Sequence, residues 1–212
     1  MDKRIKKTLD NLKKNNIAAY FAETSAEAVK LVESMLSEGE TISCGGSVTL
    51  FESGVFALMQ SGKYNFLDRS KAKNPEETAE IYRKSFYADT YLTSSNALTE
   101  EGELVNVDGN CNRISAITFG PKSVIVVVGV NKIVKNVEEG FKRVKEIAAP
   151  LNTKRLGCNT PCAKLGHCIK ADRPIPEGCD SPERICVNYL VSGRQRVKDR
   201  VKVIICNESL GY

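Results

Sequence analysis

Five of the chain's eight cysteines fall between positions 158 and 186, spaced Cys158-x3-Cys162-x5-Cys168-x10-Cys179-x6-Cys186. Thiolates are soft ligands that suit zinc or iron–sulfur clusters. Residues 154–186 hold few apolar side chains and four prolines, Pro161, Pro174, Pro176 and Pro182. Such a stretch cannot make a core of its own, and a metal bonded by several thiolates would hold it instead. Zinc ribbons are built on C-x2-C knuckles, and the chain has none. The ferredoxin run C-x2-C-x2-C-x3-C-P is absent as well. Long irregular gaps suit a cluster better than a ribbon, so an iron–sulfur cluster is expected, of the 4Fe-4S kind, with zinc as the alternative. His167 adjoins Cys168; a solvated side chain is its simpler reading. Cys44 and Cys206 stand singly in apolar runs and are expected to be packing residues.

A second set of residues suits an anion. Cys44-Gly45-Gly46-Ser47 follows a short apolar run and precedes a helical one. Glycines there let backbone approach a ligand, and a helix start offers free N–H groups. Alone such a turn often only caps a helix, and it is neither a dinucleotide fingerprint nor a Walker A loop. Between Ser94 and Arg113 the chain concentrates amides: Asn96, Asn106, Asn110 and Asn112. Turn chemistry explains part of that. Asn96 nevertheless follows a strand, where α/β proteins place ligand contacts. Arg113 could clamp a carboxylate or phosphate. Asn131 and Lys132 end the run Val128-Gly129-Val130, at what should be the same sheet edge. No residue is singled out as catalytic; Glu100, Glu101 and Asp108 are the candidate bases.

The elements that must position these groups alternate. Helices are expected over 3–15, from Thr24-Ser25-Ala26-Glu27 to Leu36, near 48–51 and 55–60, and from Asn74-Pro75-Glu76-Glu77 to about Ala88. A further helix is expected over Asn131–Ile147, ended by Pro150. Strands are expected at 17–22, 41–44, 64–67, 90–93, 123–129 and 202–206; the Ser123–Gly129 run SVIVVVG suits a strand buried on both faces. Residues 94–121 read as loops with short strands. Alternation of this kind argues for an α/β fold with a mainly parallel sheet and a Cys-rich insertion before the last strand. The expected organisation is an α/β domain over 1–153, a cluster-binding segment over 154–198, and a returning strand within 199–212.

Composition bounds the rest. The 212 residues are 42% hydrophobic and 27% charged, too apolar for a disordered chain. No apolar run reaches the length of a membrane span, and the N-terminal MDKRIKKTLDNLKKNN has no apolar signal core, so a cytoplasmic protein is expected. Without secretion, disulfides are not the expected use of eight cysteines. The net charge of +5 is mild. The basic residues at the N-terminus interleave with Ile5, Leu9 and Leu12, the pattern of an amphipathic helix with a solvated face, and no nucleic-acid partner is expected.

The stretches GGSVTL, TSSNALTEEGELVNVDGNCNRISAITFGPKSVIVVVGVNKIV, AAPLNTKRL and NESLGY resemble the LUD-domain (lactate-utilisation) family over nearly the whole chain, in its smaller members with a C-terminal cysteine cluster. The resemblance implies a Rossmann-like α/β fold of the kind shared with sugar-phosphate isomerases and CoA transferases. It also implies a place in lactate oxidation beside iron–sulfur partner proteins. Related sequences read G-N-G-N-R where this chain has Gly109-Asn110-Cys111-Asn112-Arg113, which puts a thiol near the expected pocket. They often run C-x5-C-x2-C-x6-C; Cys162, Cys168, Cys179 and Cys186 match, with the middle gap widened by Ile169–Gly178 and Cys158 extra. The expected role is an electron-transfer or accessory subunit that binds a cluster and a small organic anion. The anion would sit near Gly45, Gly46, Ser47, Asn96, Asn106, Asp108, Asn110, Arg113, Asn131 and Lys132. The alternatives are an enzyme on a phosphorylated sugar or acyl-CoA with a structural zinc or cluster, and a redox- or metal-sensing module.

Overall fold

The computed structural model describes residues 1–175 and 177–212; Pro176 lies outside them. The first half alternates as its periodicity demands: α1 (Lys3–Lys14), β1 (Ala18–Ala22), α2 (Ser25–Met35), β2 (Thr41–Cys44), α3 (Val48–Glu52), α4 (Val55–Met59), β3 (Asn65–Leu67), α5 (Pro75–Lys84) and β4 (Thr90–Thr93). Side-chain caps start these helices except α4, which begins after Gly54. Thr24 accepts from the Glu27 amide at 3.2 Å, Asn74 from that of Glu77 at 2.8 Å, and Ser47 from that of Leu50 at 3.3 Å. On α1, Ile5, Leu9 and Leu12 are buried on one face. Part of its basic face is paired: Arg4 and Lys7 reach Glu100 at 2.8 and 3.4 Å, and Lys7 reaches Glu101 at 2.7 Å. Glu100 and Glu101 are thereby accounted for as ion-pair partners of α1.

The rest comprises β5 (Ala97–Thr99), β6 (Leu104–Asp108), α6 (Asn112–Thr118), β7 (Ser123–Gly129), β8 (Ile133–Val134), α7 (Val137–Arg143), α8 (Ala149–Arg155), α9 (Pro161–Leu165), β9 (Asn188–Ser192) and β10 (Val201–Cys206). Six strands form one sheet in the order β1-β10-β7-β4-β2-β3, with every pairing parallel. The fold is therefore α/β with a mainly parallel, Rossmann-like sheet. The two-residue period of its central strands sorts their side chains into two cores. Val124, Val126 and Val128 of β7, with Val201, Val203 and Ile205 of β10, pack with α1 and α6. Ile125, Val127, Ile204 and Cys206 pack on the opposite face with α2, α3 and α4. A smaller mixed sheet, β8-β5-β6-β9, sends Leu98, Leu104 and Ile133 into the first core and turns Ala97, Val105 and Val134 toward Phe141 of α7.

Helix α6 falls in the stretch read as loops and short strands, and other elements differ from expectation as well. Val137, not Asn131, begins α7, because Asn136 accepts from the Glu139 amide at 3.0 Å and so caps the helix; Ile133 and Val134 instead pair with β5. Pro150 does not end that helix. A π-helical segment over Val144–Ala148 resets the hydrogen-bond register, and Pro150 then falls in the first turn of α8, where its missing N–H costs nothing. The Cys-rich stretch ends in a strand: β9 pairs antiparallel with β6 and ties the segment to the smaller sheet.

Candidate functional site

Because the six strands are parallel, their C-terminal ends share one edge, the place where open α/β sheets bind ligands. There β2 delivers Gly46 and Ser47, β3 delivers Arg69, β4 delivers Ser94, Ser95 and Asn96, and β7 delivers Lys132. The tail after β10 adds Tyr212, and α8 adds Asn152 and Arg155. Together with the turn from Asp108 to Arg113 they enclose a cavity of about 240 Å³.

Cations outnumber anions in this cavity. Among the described residues, Arg69, Arg113, Lys132 and Arg155 line it against one carboxylate side chain, that of Asp108. Arg113 is held on every side. Its guanidinium donates to the Asn106 and Asn96 side chains and to the carbonyls of Ser94 and Val107, and its Nε stands 3.7 Å from Asp108 Oδ2. Burial lowers its pKa, and the nearby Asp108 opposes that shift. Asp108 also accepts from the Cys111 and Ile114 amides at 3.2 and 3.3 Å, so one carboxylate caps α6 and aims the arginine. Gly45 makes room for it: a Cβ there would stand 3.0 Å from both Arg113 Cδ and the Tyr91 hydroxyl. Lys132, 3% exposed, donates to Thr49 Oγ1 at 2.7 Å and Ser94 Oγ at 3.0 Å. Its pKa falls to about 7, chiefly through burial and then through Arg143 and Arg113. At the mouth, Arg69 donates to the Tyr82 hydroxyl at 2.9 Å and Arg155 to that of Tyr212 at 2.7 Å.

A second cavity lies behind the first. Cys162, Cys168, Cys179 and Cys186 all line it, with Phe141, Val144 and Tyr189 as apolar wall. Its volume is about 30 Å³, the room of a water-sized group. The Cys186 thiol is pushed up to about 12, first by burial and then by Cys162 and Cys168, with Cys179 a smaller contributor. Thr153 and Thr160 hydroxyls stand 3.3 and 3.4 Å from Cys162 Sγ. Lys145 donates to the carbonyls of Lys170, Arg173 and Pro174 and so pins the loop between Cys168 and Cys179. Cys158 stays outside this wall. Burial raises its pKa, and Glu183 raises it further. His167 is exposed, with Nδ1 3.1 Å from the Leu165 carbonyl oxygen. Among the described residues no group of three His, Cys, Asp or Glu side chains is arranged to hold a single metal ion. The donor set nonetheless suits a thiophilic group, since four thiols converge on one apolar space.

The family model described as LUD domain matches residues 5–206. The chain belongs to the LUD domain family. A DUF162 family protein from Deinococcus radiodurans has a similar fold, with TM-score 0.54, 15% identity, and 96% of each chain covered. Two structures from Chaetomium thermophilum align more loosely. eIF2B delta gives TM-score 0.34 at 17% identity, over 52% of this chain and 48% of that one. The tetrameric eIF2B-beta2-delta2 complex gives 0.40 at 15%, over 86% and 55%. No curated protein matches significantly.

In this LUD-domain protein the residues singled out from sequence fall into two groups. Gly46, Ser47, Asn96, Asp108, Asn110, Arg113 and Lys132 line the polar cavity. Gly45, Asn106 and Asn131 stand behind its wall. Asn106 holds Arg113, and Asn131 ties the tail by accepting from the Leu210 amide and donating to the Gly211 carbonyl. Cys111 turns away, accepting from Asn188 Nδ2 at 2.6 Å, with its backbone in the left-handed region at φ 64°. Sequence reasoning missed Arg69, Tyr82, Asn152, Arg155 and Tyr212. Arg69 carried a signal in its place just past the third strand, and Asn152, Arg155 and Tyr212 lie in the stretches AAPLNTKRL and NESLGY that carry the family resemblance. Tyr82 reaches the cavity from a helix, and no local pattern marks that.

Proposed function

We propose that this LUD-domain protein holds an iron–sulfur cluster on Cys162, Cys168, Cys179 and Cys186 and a small organic anion in the polar cavity. It would act as an electron-transfer or accessory subunit of lactate or related organic-acid metabolism. One observation carries the reading: the four cysteines that match the family spacing line one cavity, and the extra Cys158 does not. Bound there, a cluster would supply one-electron transfer. The thiols supply the ligands, Phe141, Val144 and Tyr189 keep water away, and Thr153 and Thr160 offer hydroxyls to one sulfur. In the other cavity Arg113, fixed by Asp108 and Asn106, orients an anionic group, while Arg69 and Arg155 attract it at the mouth.

Zinc is the second reading, and the small cavity volume favours it, since a single ion takes less room than a cluster. Anaerobic purification separates the two. Brown protein with broad visible absorbance supports the cluster; colourless protein with stoichiometric zinc overturns it and leaves the segment a structural staple. For the anion, a thermal-shift screen with lactate, phosphate and malonate should give stabilisation that Arg113→Met abolishes. The absence of any shift would overturn that part.

A further inference from the structure

Lys132 is built unlike a lysine that only attracts an anion. It sits at the back of the polar cavity, and its amine is held by two neutral hydroxyls, those of Thr49 and Ser94. Thr49 in turn donates to the Leu210 carbonyl at 3.3 Å, which fixes the hydroxyl's orientation. Among the described residues no carboxylate forms an ion pair with Lys132. Its charged neighbours are Arg143 of α7 and Arg113 of α6, both cationic, with Glu52 of α3 a weaker opposing influence. A desolvated amine beside other cations is the arrangement that turns a lysine into a nucleophile, because burial and like charge disfavour the protonated form. Arg113 and the mouth arginines Arg69 and Arg155 line the same cavity and offer a place for an anionic group.

We propose that Lys132 is a covalent nucleophile that condenses with a small anionic aldehyde or ketone held in the polar cavity. This rests on the reading of that cavity as an anion site. The amine nitrogen attacks the carbonyl carbon, a carbon–nitrogen double bond forms, and the carbonyl oxygen leaves as water with the two amine hydrogens. No oxidant or reductant is consumed. Thr49 and Ser94 are placed to hold the amine and to relay its protons. The pKa near 7 agrees with this role: at neutral pH the fraction of free amine is roughly a thousandfold above that of an exposed lysine.

Borohydride trapping tests the proposal on the full chain. One arm uses pyruvate, whose anionic group is a carboxylate; the other uses glycolaldehyde phosphate. Borohydride should fix one adduct per chain, with the mass of the probe less one oxygen, and peptide mapping should place it on Lys132. Whichever arm labels at the lower concentration names the anionic group. Lys132→Arg, which keeps the charge, should lose that adduct. Malonate and phosphate, which have no reactive carbonyl, serve as binding controls by thermal shift. If these anions bind and wild-type label spreads over surface lysines, the nucleophile is refuted while the anion site stands. If neither binding nor labelling occurs, both readings fall. Because the wild-type peptide map decides the outcome, poor folding of the variant leaves the test intact.

Discussion

The polar cavity and the cysteine cavity share a wall. Ile185 lines both, and α8 turns Asn152 and Arg155 to one side and Ala149 and Thr153 to the other. Their construction is opposite. The polar cavity sits on the ends of parallel strands, and its cations are held by hydrogen bonds within the chain, as Arg113 is by four acceptors. The cysteine cavity is bounded by α9 and a stretch without regular structure, and Lys145 pins that stretch through backbone carbonyls. One site is organised by the fold; on the proposed reading the other is organised by the group it binds. That reading separates binding that costs little rearrangement from binding that is coupled to local folding.

The largest expected effect breaks the second half of that comparison. Cys162→Ser with Cys186→Ser should lower metal affinity by more than about a hundredfold. Hydrogen exchange should then speed up across residues 158–187 while β7 and β10 keep their protection. Equal loss of protection in the sheet would mean that the segment is part of the main cooperative unit.

Breaking the first half takes Arg113→Met. It removes the charged partner of Asp108, which keeps the Cys111 and Ile114 amides, and should cost roughly 1–3 kcal/mol in urea unfolding. Anion stabilisation should vanish while metal content stays unchanged.

Lys132 provides a pH signature. The unfolded chain keeps this proton up to its ordinary pKa of 10.5, whereas the folded chain releases it near 7. Between those values the unfolded state binds more protons, so stability should rise with pH across that window. Below pH 7 the penalty of the buried charge is fully present. Lys132→Met should flatten the rise, measured as urea midpoints from pH 6 to 10. Simple anion affinity should fall as pH rises through 7, because the amine loses its charge. The initial rate of borohydride trapping should instead rise and level off, so the two curves run in opposite directions.

Cys158→Ser marks the edge of the cysteine site. Stability should change by less than about 0.5 kcal/mol, with no loss of metal.

The parallel sheet was legible because β7 and β10 are short β-branched apolar runs, and strand ends then pointed to Ser47, Asn96 and Lys132. Helix α6 was not legible. Asn110 and Asn112 at its entry read as turn, that entry passes through a left-handed Cys111, and its cap is Asp108 on the preceding strand. The start of α7 was signalled by Asn136 and Glu139 and was overridden by the apolar period upstream. Arg155 and Tyr212 belong to the cavity only through tertiary packing, which no local window contains. The four-cysteine set came from the family resemblance: spacing alone left five cysteines open, and the run C-x5-C-x2-C-x6-C of related sequences singled out Cys162, Cys168, Cys179 and Cys186.

Iron, zinc and acid-labile sulfide content of anaerobically purified protein decides whether Cys162, Cys168, Cys179 and Cys186 bind one cluster. The expected result is about four iron and four sulfide per chain, lost in the double serine variant and retained in Cys158→Ser. Metal-free protein with all eight thiols titratable, or iron retained by the double variant, would contradict it.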